Sequence, residues 1–219
     1  MSADDRPPRA VICDFGGVLT VPLIKAFTAV QEESGASVEA LAGAMARVAG
    51  ATGRHPLFDL EKGLVSEAAF LASLEAELDG SVSLASFRET YFSALHPNEP
   101  MIDYMADLRG RGLRTALLTN NVREWESHWR AKLPALDATF EVVVDSAHVG
   151  MRKPEPEIYE LTVERLGDGL TAAECVFVDD TDVNCATARE LGMHAVHFRD
   201  TDQAIAKIEV ALSGGPSAD

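Results

Sequence analysis

The stretch Ala10-Val11-Ile12-Cys13-Asp14-Phe15-Gly16-Gly17-Val18 decides which fold is expected for this chain. It opens with four apolar residues, and one carboxylate and two glycines follow them closely. A short apolar run that leads into glycines is typical of a buried strand ending in a loop. Glycine lacks a Cβ atom and lets backbone approach a ligand. We therefore predict a strand over Ala10–Cys13, with Asp14 placed as a nucleophile, a metal ligand or a simple turn cap.

The same kind of apolar run recurs four more times along the chain. The next three runs, like the first, end in polar residues, and helical patterns lie between the runs. Short apolar strands alternating with helices indicate a parallel sheet covered on both faces. We predict an α/β fold with a Rossmann-like, three-layer core, whose polar strand ends converge on one crevice. The four further runs are Thr115–Leu118, Val142–Val144, Cys175–Val178 and Ala195–Phe198.

Residues 21–96 have a different character, being rich in Ala, Leu and Glu and lacking clear strand runs. Ser37 and Ser66 precede two of the helical patterns as N-cap residues. We predict that residues 21–96 form an all-helical cap domain, inserted into a core domain built from residues 1–20 and 97–219. The candidate helices of this cap are Leu23–Ser34, Val38–Ala49, Glu67–Leu78 and Leu84–Ala94.

Composition and charge exclude several classes of function. The chain has 219 residues and a formal net charge of −16, which disfavours nucleic acid and anionic membrane surfaces as partners. No apolar run is long enough for a membrane span, and the polar N-terminus has no signal-peptide character. The three cysteines, an odd number in apolar surroundings, indicate reduced thiols and a cytoplasmic protein. We expect a monomer or a homodimer.

Three further polar residues follow predicted strands or lie in a constrained loop. Thr119 and Asn120 end the second run, where a hydroxyl and backbone amides can hold anionic oxygens or cap the next helix. Lys153 lies in a loop with Pro154 and Pro156, which restrict the backbone. A lysine held there can neutralise a carboxylate and a phosphate, or it is simply an exposed loop residue.

A carboxylate pair, Asp179 and Asp180, follows the fourth run, and Asn184 lies close behind it. Two adjacent carboxylates repel each other unless a cation relieves them, although a helix N-terminus also favours such a pair. Hard oxygen ligands with few protein contacts suit Mg²⁺, which keeps waters and takes substrate phosphate. This pair makes Mg²⁺ the expected cofactor.

Taken together and in this order, the motifs resemble the haloacid dehalogenase superfamily of hydrolases. The resemblance is carried by Asp14–Val18, Leu118–Asn120, the Lys153 segment and Val178–Asp180. The segment Gly150–Tyr159 is similar to the branch that includes the N-terminal phosphatase domain of soluble epoxide hydrolases and sugar-1-phosphate phosphatases. The helical insert resembles the cap domain of that branch, which acts as a lid over the site.

The resemblance implies a phosphatase with a role for each motif. Asp14 attacks phosphorus and forms an aspartyl-phosphate, and Lys153 pairs with Asp14 and the phosphate. Thr119 and the backbone amide of Asn120 bind the phosphoryl oxygens of a small phosphorylated metabolite. The implied metal ligands are Asp14, the carbonyl of Gly16, Asp180 and Asp179, with Asn184 and Gly17 in support.

One position departs from the phosphatase pattern of the family. These phosphatases usually carry a second Asp two residues after the nucleophile as general acid and base, and this chain has Gly16 there. Such a group contributes about 10²–10⁴-fold to the rate. The substrate has a good leaving group, or His55, Asp59 or Glu61 substitutes, or the protein is a catalytically silent binding protein. Relatives similar to glucose-1-phosphatases also carry Gly at this position.

A 2-haloacid dehalogenase remains an alternative, because such enzymes use a lone Asp nucleophile without metal. They usually need an Arg near the nucleophile, for which Arg123 is the nearest candidate, although a solvated helix position is the simpler interpretation. The pair at Asp179 and Asp180 favours phosphoryl chemistry. Trp125 and Trp129, four residues apart, are interpreted as packing residues on one helix face.

Overall fold

The structure, a computed structural model, describes residues 7–78, 80 and 82–214. Five strands alternate with helices along the chain. The strands are β1 (Ala10–Cys13), β2 (Arg114–Thr119), β3 (Val142–Asp145), β4 (Cys175–Asp179) and β5 (His194–His197). The helices are α1 (Ile24–Ser34), α2 (Val38–Thr52), α3 (Pro56–Glu61), α4 (Glu67–Glu75), α5 (Phe87–Ala94), α6 (Glu99–Gly110), α7 (Glu126–Arg130), α8 (Leu136–Thr139), α9 (Ser146–Val149), α10 (Pro156–Leu166), α11 (Asp182–Glu190) and α12 (Thr201–Leu212).

The strands form one parallel sheet in the order β3-β2-β1-β4-β5, and this confirms the predicted α/β fold. The central strand β1 alternates between two cores, as the two-residue period of a strand requires. Val11 and Cys13 pack toward α6 and α12, whereas Ala10 and Ile12 pack toward α10 and α11. The sheet is therefore the middle of three layers, and its strand ends are left to carry polar residues.

The described part of residues 21–96, which we call the cap segment, contains the helices α1 to α5. Ser37 and Ser66 are N-caps as predicted, since their side chains accept hydrogen bonds from the backbone N–H of Ala40 and Ala69. Thr20 pairs with Pro97 in an isolated antiparallel bridge, which brings together the two connections to the core. The division into core and cap domains at residues 21 and 96 stays a prediction, and residues 1–6, 79, 81 and 215–219 lie outside the described residues.

Several short helices and the last long one were absent from the sequence-based prediction. The helix α3 has six residues, too few for a clear period, and α12 follows the fifth strand. The two tryptophans do not share one helix, because a 3₁₀ turn over Arg123–Trp125 precedes α7. Trp129 is fully buried beside Phe15, as expected of a packing residue, whereas Trp125 is only partly buried.

The helices and the cysteines can be compared with the predictions on membrane spans and on reduced thiols. Among the described residues, none of the helices combines the length and the apolar character that a bilayer crossing requires. Cys13, Cys175 and Cys185 are free and buried, as predicted for reduced thiols. Burial raises the pKa of each of these thiols, so none of the three is an activated nucleophile.

The central strand offers a direct test of the fold. Ile12→Ala removes a fully buried side chain between the sheet and its helical layer. The free energy of unfolding in urea is expected to fall by about 2–5 kcal/mol, because the cavity that remains does not fully collapse. Val210→Ala, at an exposed position of α12, is the control and changes the same quantity by less than about 0.5 kcal/mol. Equal effects of the two substitutions would contradict the placement of β1.

Candidate active site

Asp14 is the first residue after the central strand, and its carboxylate lies in a largely closed site. The side chain is buried, with 8% of the residue exposed, and its Oδ1 accepts a hydrogen bond from the backbone N–H of Phe15 at 2.7 Å. The backbone N–H of Asp14 itself donates to the carbonyl of Val178 at 2.9 Å. The sheet thus continues one residue past β1 and fixes the position of the carboxylate.

Lys153 is buried, with 1% of the residue exposed, and links two strand ends. Its Nζ lies 2.7 Å from Oδ1 of Asp14 and 2.6 Å from Oδ2 of Asp179. A lysine is almost never fully buried unless it is paired, and here two carboxylates pair with it. The structure therefore brings Lys153 and Asp14 together, and the side chain of Lys153 is buried rather than exposed on the loop.

The side chain of Asn120 holds the backbone of Lys153 in place. Its Oδ1 accepts from the N–H of Lys153 at 2.8 Å, and its Nδ2 donates to the carbonyl of Lys153 at 2.9 Å. This double hydrogen bond joins the end of β2 to the Lys153 loop. The sequence pointed only to the backbone amide of Asn120, so this positioning role of its side chain was missed.

The carboxylate pair after β4 divides into a buried and a more exposed member. Asp179 is fully buried, and its carboxylate accepts from Nδ2 of Asn184 at 3.0 Å and from the backbone N–H of Thr181 at 2.8 Å. Asp180 is half-buried, and the Thr181 hydroxyl donates to its Oδ1 at 3.2 Å. Asn184 thus holds Asp179, and Asp180 is the member of the pair that faces the cavity.

The glycines after Asp14 let the loop pass close to these carboxylates. Gly17 has φ of +77°, and a Cβ on it would collide with Oδ2 of Asp180. Only glycine fits there without displacing the carboxylate. Gly16 lines the cavity, and a Cβ on it would lie 3.1 Å from Cδ1 of Leu23. The side chain of Leu23 therefore occupies the space beside the position where the family usually carries its second Asp.

Charge in this cluster is not balanced by protein groups. One ammonium, on Lys153, faces three carboxylates, and each carboxylate offers an oxygen within 4.8 Å of the others. Burial is the main cause that raises the pKa of Asp14; Lys153 opposes it, and the charge of Asp179 adds to it. Burial, reinforced by Asp179, also raises the pKa of Asp180.

The donor set of this cluster fits Mg²⁺. The cluster of Asp14, Asp179 and Asp180 supplies only hard carboxylate oxygens, the ligand type that Mg²⁺ prefers. A divalent cation also matches the excess negative charge. Because Asp179 already binds Lys153 and Asn184, Asp14 and Asp180 are the carboxylates with most freedom to take a metal.

The third strand end does not join the site, contrary to expectation. Asp145 caps α9 by accepting from the backbone N–H of Ala147 at 3.0 Å, and it does not line the cavity. Its neighbour Ser146 accepts from the N–H of Asn121 at 3.0 Å. The end of β3 is therefore structural, whereas β1, β2 and β4 carry the site.

The candidates for a substitute acid or base have different positions. Asp59 pairs with Arg54, and the ring of His55 stacks on Phe58; neither lines the cavity. Glu61 does line it and pairs with Nε of Arg152 at 2.6 Å. Burial raises the pKa of Glu61 despite this pairing. Of the three candidates, Glu61 is the one that faces the cavity.

A large cavity, which no sequence pattern indicated, opens from the carboxylate cluster into the cap segment. Its volume is about 650 Å³, within the usual range for small-molecule sites. Thr119 and Asn120 line it beside Asp14, as predicted. Trp125, expected to be a packing residue, also lines it and packs on Tyr91 at 5.1 Å between ring centroids.

Contacts between the cap segment and the core close one side of this cavity. The guanidinium of Arg152 lies over the ring of Phe58 at 4.0 Å and pairs with Glu61. Lys62 forms an ion pair with Glu155 on the same side.

Arg123, the candidate for a dehalogenase arginine, is exposed and donates to the carbonyl of Ala147 at 2.6 Å. Arg123 does not line the cavity.

Known proteins match this chain in sequence and in fold. A segment of 115 residues is 36% identical to "Bifunctional epoxide hydrolase 2" of Sus scrofa, covering 51% of this chain and 20% of that protein. A segment of 131 residues is 32% identical to a sesquiterpene phosphatase of Aspergillus oryzae, covering 57% of this chain and 61% of that protein. The chain thus spans less than two thirds of the length of both relatives.

A solved structure shares the fold at low sequence identity. It is a HAD family enzyme from Bacteroides thetaiotaomicron in complex with magnesium and inorganic phosphate, with a TM-score of 0.66 and 22% identity. The alignment covers 88% of this chain and 94% of that one. A family model described as haloacid dehalogenase-like hydrolase matches residues 8–192, which include every residue of the cluster. This chain belongs to the haloacid dehalogenase-like hydrolases.

Proposed function

We propose that this protein is a Mg²⁺-dependent phosphatase that forms an aspartyl-phosphate on Asp14. The observation that carries the proposal is the ammonium of Lys153, bound between Asp14 and Asp179 beside the carboxylate of Asp180. A nucleophile, a fixed cation and an acidic metal site that line one cavity are what phosphoryl transfer needs, because its catalysis is mostly positioning and charge neutralisation.

The proposed reaction has two steps, in which Asp14 is first phosphorylated and then released from the phosphate by water. An Asp14 carboxylate oxygen attacks phosphorus, the phosphorus–oxygen bond of the ester breaks, and the leaving oxygen departs with the electron pair. The leaving oxygen takes up a proton from solvent and becomes an alcohol. Water then attacks phosphorus and gives one proton to solvent, while the bond between phosphorus and the Asp14 oxygen breaks, so that inorganic phosphate is released and the carboxylate is restored. Thr119 and the backbone amide of Asn120 hold the phosphoryl oxygens, and Lys153 neutralises charge on them.

Magnesium would be held by Asp14, Asp180 and the carbonyl of Gly16, and it would neutralise negative charge on the phosphoryl group. Both carboxylate oxygens of Asp179 already bind Lys153 or Asn184, so Asp179 supports this metal site indirectly.

The three free, buried cysteines support a reducing cytoplasmic setting for the protein.

The acidic cluster favours phosphoryl transfer over carbon–halogen hydrolysis. The carboxylates of Asp14, Asp179 and Asp180 form a site for a divalent cation that would receive phosphoryl oxygens, whereas attack of a lone Asp on carbon does not need a metal. Among the described residues that line the cavity, Arg152 is the one arginine, and it already binds Glu61. Release of halide from 2-haloacids in the presence of a chelator would favour the dehalogenase alternative instead.

The nucleophile gives the first test of this function. The wild-type protein is expected to release phosphate from p-nitrophenyl phosphate with Mg²⁺, and Asp14→Asn should lower kcat by about 10³-fold or more, because the amide cannot attack phosphorus. Asp202→Asn, an equal charge change at an exposed position of α12, is the control with unchanged kcat. Absence of turnover on every phosphate ester tested, at any Mg²⁺ concentration, would favour the silent binding protein.

Metal binding is tested without turnover by thermal unfolding. Mg²⁺ at about a hundred times its Kd should add about 2.7 kcal/mol to the free energy of unfolding of the wild type. Asp180→Asn should abolish this gain and leave the metal-free protein equally or more stable, since it relieves carboxylate repulsion. The matched control Asp202→Asn should retain the gain. A gain that survives in Asp180→Asn would place the metal elsewhere.

The missing acid at Gly16 predicts a dependence on the leaving group. Esters of alcohols with high pKa should react far more slowly than p-nitrophenyl phosphate, because no side chain at position 16 protonates the leaving oxygen. The double variant Gly16→Asp with Leu23→Ala removes the neighbour that a Cβ would meet. It is expected to raise kcat on alkyl phosphates about 10²-fold, and to change little with p-nitrophenyl phosphate.

The control for this variant is Gly16→Asn with Leu23→Ala, which has nearly the same shape and no proton to give. An equal gain from the Asn and Asp variants would show that acid catalysis is not the cause. If neither variant gains activity, the missing acid at position 16 does not explain the dependence on the leaving group.

A further inference from the structure

We propose that the substrate is a monophosphate whose leaving group carries a long apolar chain, and that this chain lies in the cavity of the cap segment. The proposal rests on the proposed phosphatase function and names its substrate class. It goes beyond the small phosphorylated metabolite expected from the sequence. The observation behind it is the continuity of one cavity, which has the carboxylate cluster at one side and apolar side chains elsewhere.

The wall contributed by the cap segment is apolar. Aromatic and aliphatic side chains from α1, α2, α4 and α5 face the cavity, and Trp125 extends this wall from the core. Phe27 and Tyr91, from α1 and α5, pack at 5.5 Å between ring centroids, so these two helices contact each other within the wall. Representative lining residues are Phe27, Leu41, Met45, Phe70, Tyr91 and Trp125.

Polar groups are concentrated where the phosphate would bind. Asp14, Thr119, Asn120, Lys153 and Asp180 all come from the ends of β1, β2 and β4 or from the loop beside them. A sugar in the apolar part would leave its hydroxyls without hydrogen-bond partners, which disfavours binding. A hydrocarbon chain makes no hydrogen bonds that it could lose there, and removal of its apolar surface from water favours binding.

The charged residues of the cavity limit the substrate to one phosphate. Among the described residues that line it, the cations are Arg152 and Lys153. Lys153 binds Asp14 and Asp179, and Arg152 binds Glu61. Glu61 is the one charged lining residue of the described cap segment. Both cations that line the cavity are therefore already paired with carboxylates, so a second phosphate or a carboxylate on the substrate would have no cation there to bind.

The size of the cavity agrees with a long chain. A volume of about 650 Å³ exceeds what a phosphate group alone requires. Removal of one methylene from water contributes about 0.8 kcal/mol, which corresponds to about a fourfold gain in affinity for each methylene that enters the cavity. Binding should therefore depend steeply on chain length until the cavity is full.

The test measures binding without chemistry. Methyl-, butyl- and octylphosphonic acid cannot be hydrolysed at their carbon–phosphorus bond, and with Mg²⁺ they are titrated into the wild-type protein by calorimetry. We expect Kd to fall by about two- to fourfold for each added methylene. A Kd that is the same for all three compounds would overturn the proposal, while binding of methylphosphonate would still support a phosphate site.

A second measurement removes differences in leaving-group chemistry. Acetyl, butanoyl and octanoyl phosphate release carboxylic acids of nearly equal pKa, so the missing acid at Gly16 affects all three alike. The proposal predicts that kcat/KM rises with chain length and that octanoyl phosphate exceeds acetyl phosphate by at least about 10-fold. Equal kcat/KM values would contradict it, and absence of any hydrolysis would contradict the proposed function alone if the phosphonates still show chain dependence.

Two matched variants on α2 locate the chain. Ala42 lines the cavity and Ala46 does not, although both are exposed positions on the same helix. Ala42→Asp should weaken octylphosphonate binding by at least about fivefold, because placing a hydrocarbon chain against a carboxylate costs the carboxylate its water. The Kd of methylphosphonate should be unchanged. Ala46→Asp should change neither. Chain dependence equal to wild type in Ala42→Asp would contradict the placement of the chain along α2.

Discussion

The ammonium of Lys153 is the group on which the site depends. It is buried between Asp14 and Asp179, so it links the first strand of the chain to the fourth. Asn120 adds the second strand by holding both backbone polar groups of Lys153. Segments far apart in sequence are thereby fixed in one cluster at one edge of the sheet. Removal of one partner would leave a buried charge unpaired, which is strongly unfavourable.

The parts of the fold that follow from local pattern were predictable. All five strands overlap short apolar runs of the sequence, and the polar residues at the ends of these runs indicated Asp14, Thr119 and Asp179 as candidate site residues. The N-caps at Ser37 and Ser66 also follow from local chemistry, because a side chain there has one nearby backbone partner. These features depend on neighbours in sequence and not on the tertiary arrangement.

Other features depend on contacts that the sequence does not display. The six residues of α3 are too few to show a helical period, yet this helix ends at Glu61, which faces Arg152. The end of β3 resembled the other strand ends, but Asp145 serves its own helix. The cavity could not be predicted, because its wall comes from apolar residues that have the same pattern as an ordinary helical core.

Two features of the site both favour a leaving group that is apolar and needs little protonation. Leu23 takes the space beside Gly16, so an apolar side chain stands where the family usually places a proton donor. The cavity continues from that point into the apolar wall of the cap segment. The proposed enzyme thus relies on burial of the leaving group for binding, and on a leaving group that departs without much protonation.

Trapping the covalent intermediate tests the central claim most directly. The protein is mixed with radiolabelled acetyl phosphate and Mg²⁺, quenched in acid within one turnover, and the labelled peptide is identified by mass spectrometry. If Asp14 is the nucleophile, phosphate appears on the peptide that contains Asp14, hydroxylamine removes the label, and Asp14→Asn carries no label. Phosphate released by the wild type with no labelled protein at any time, or label on another residue, would contradict it.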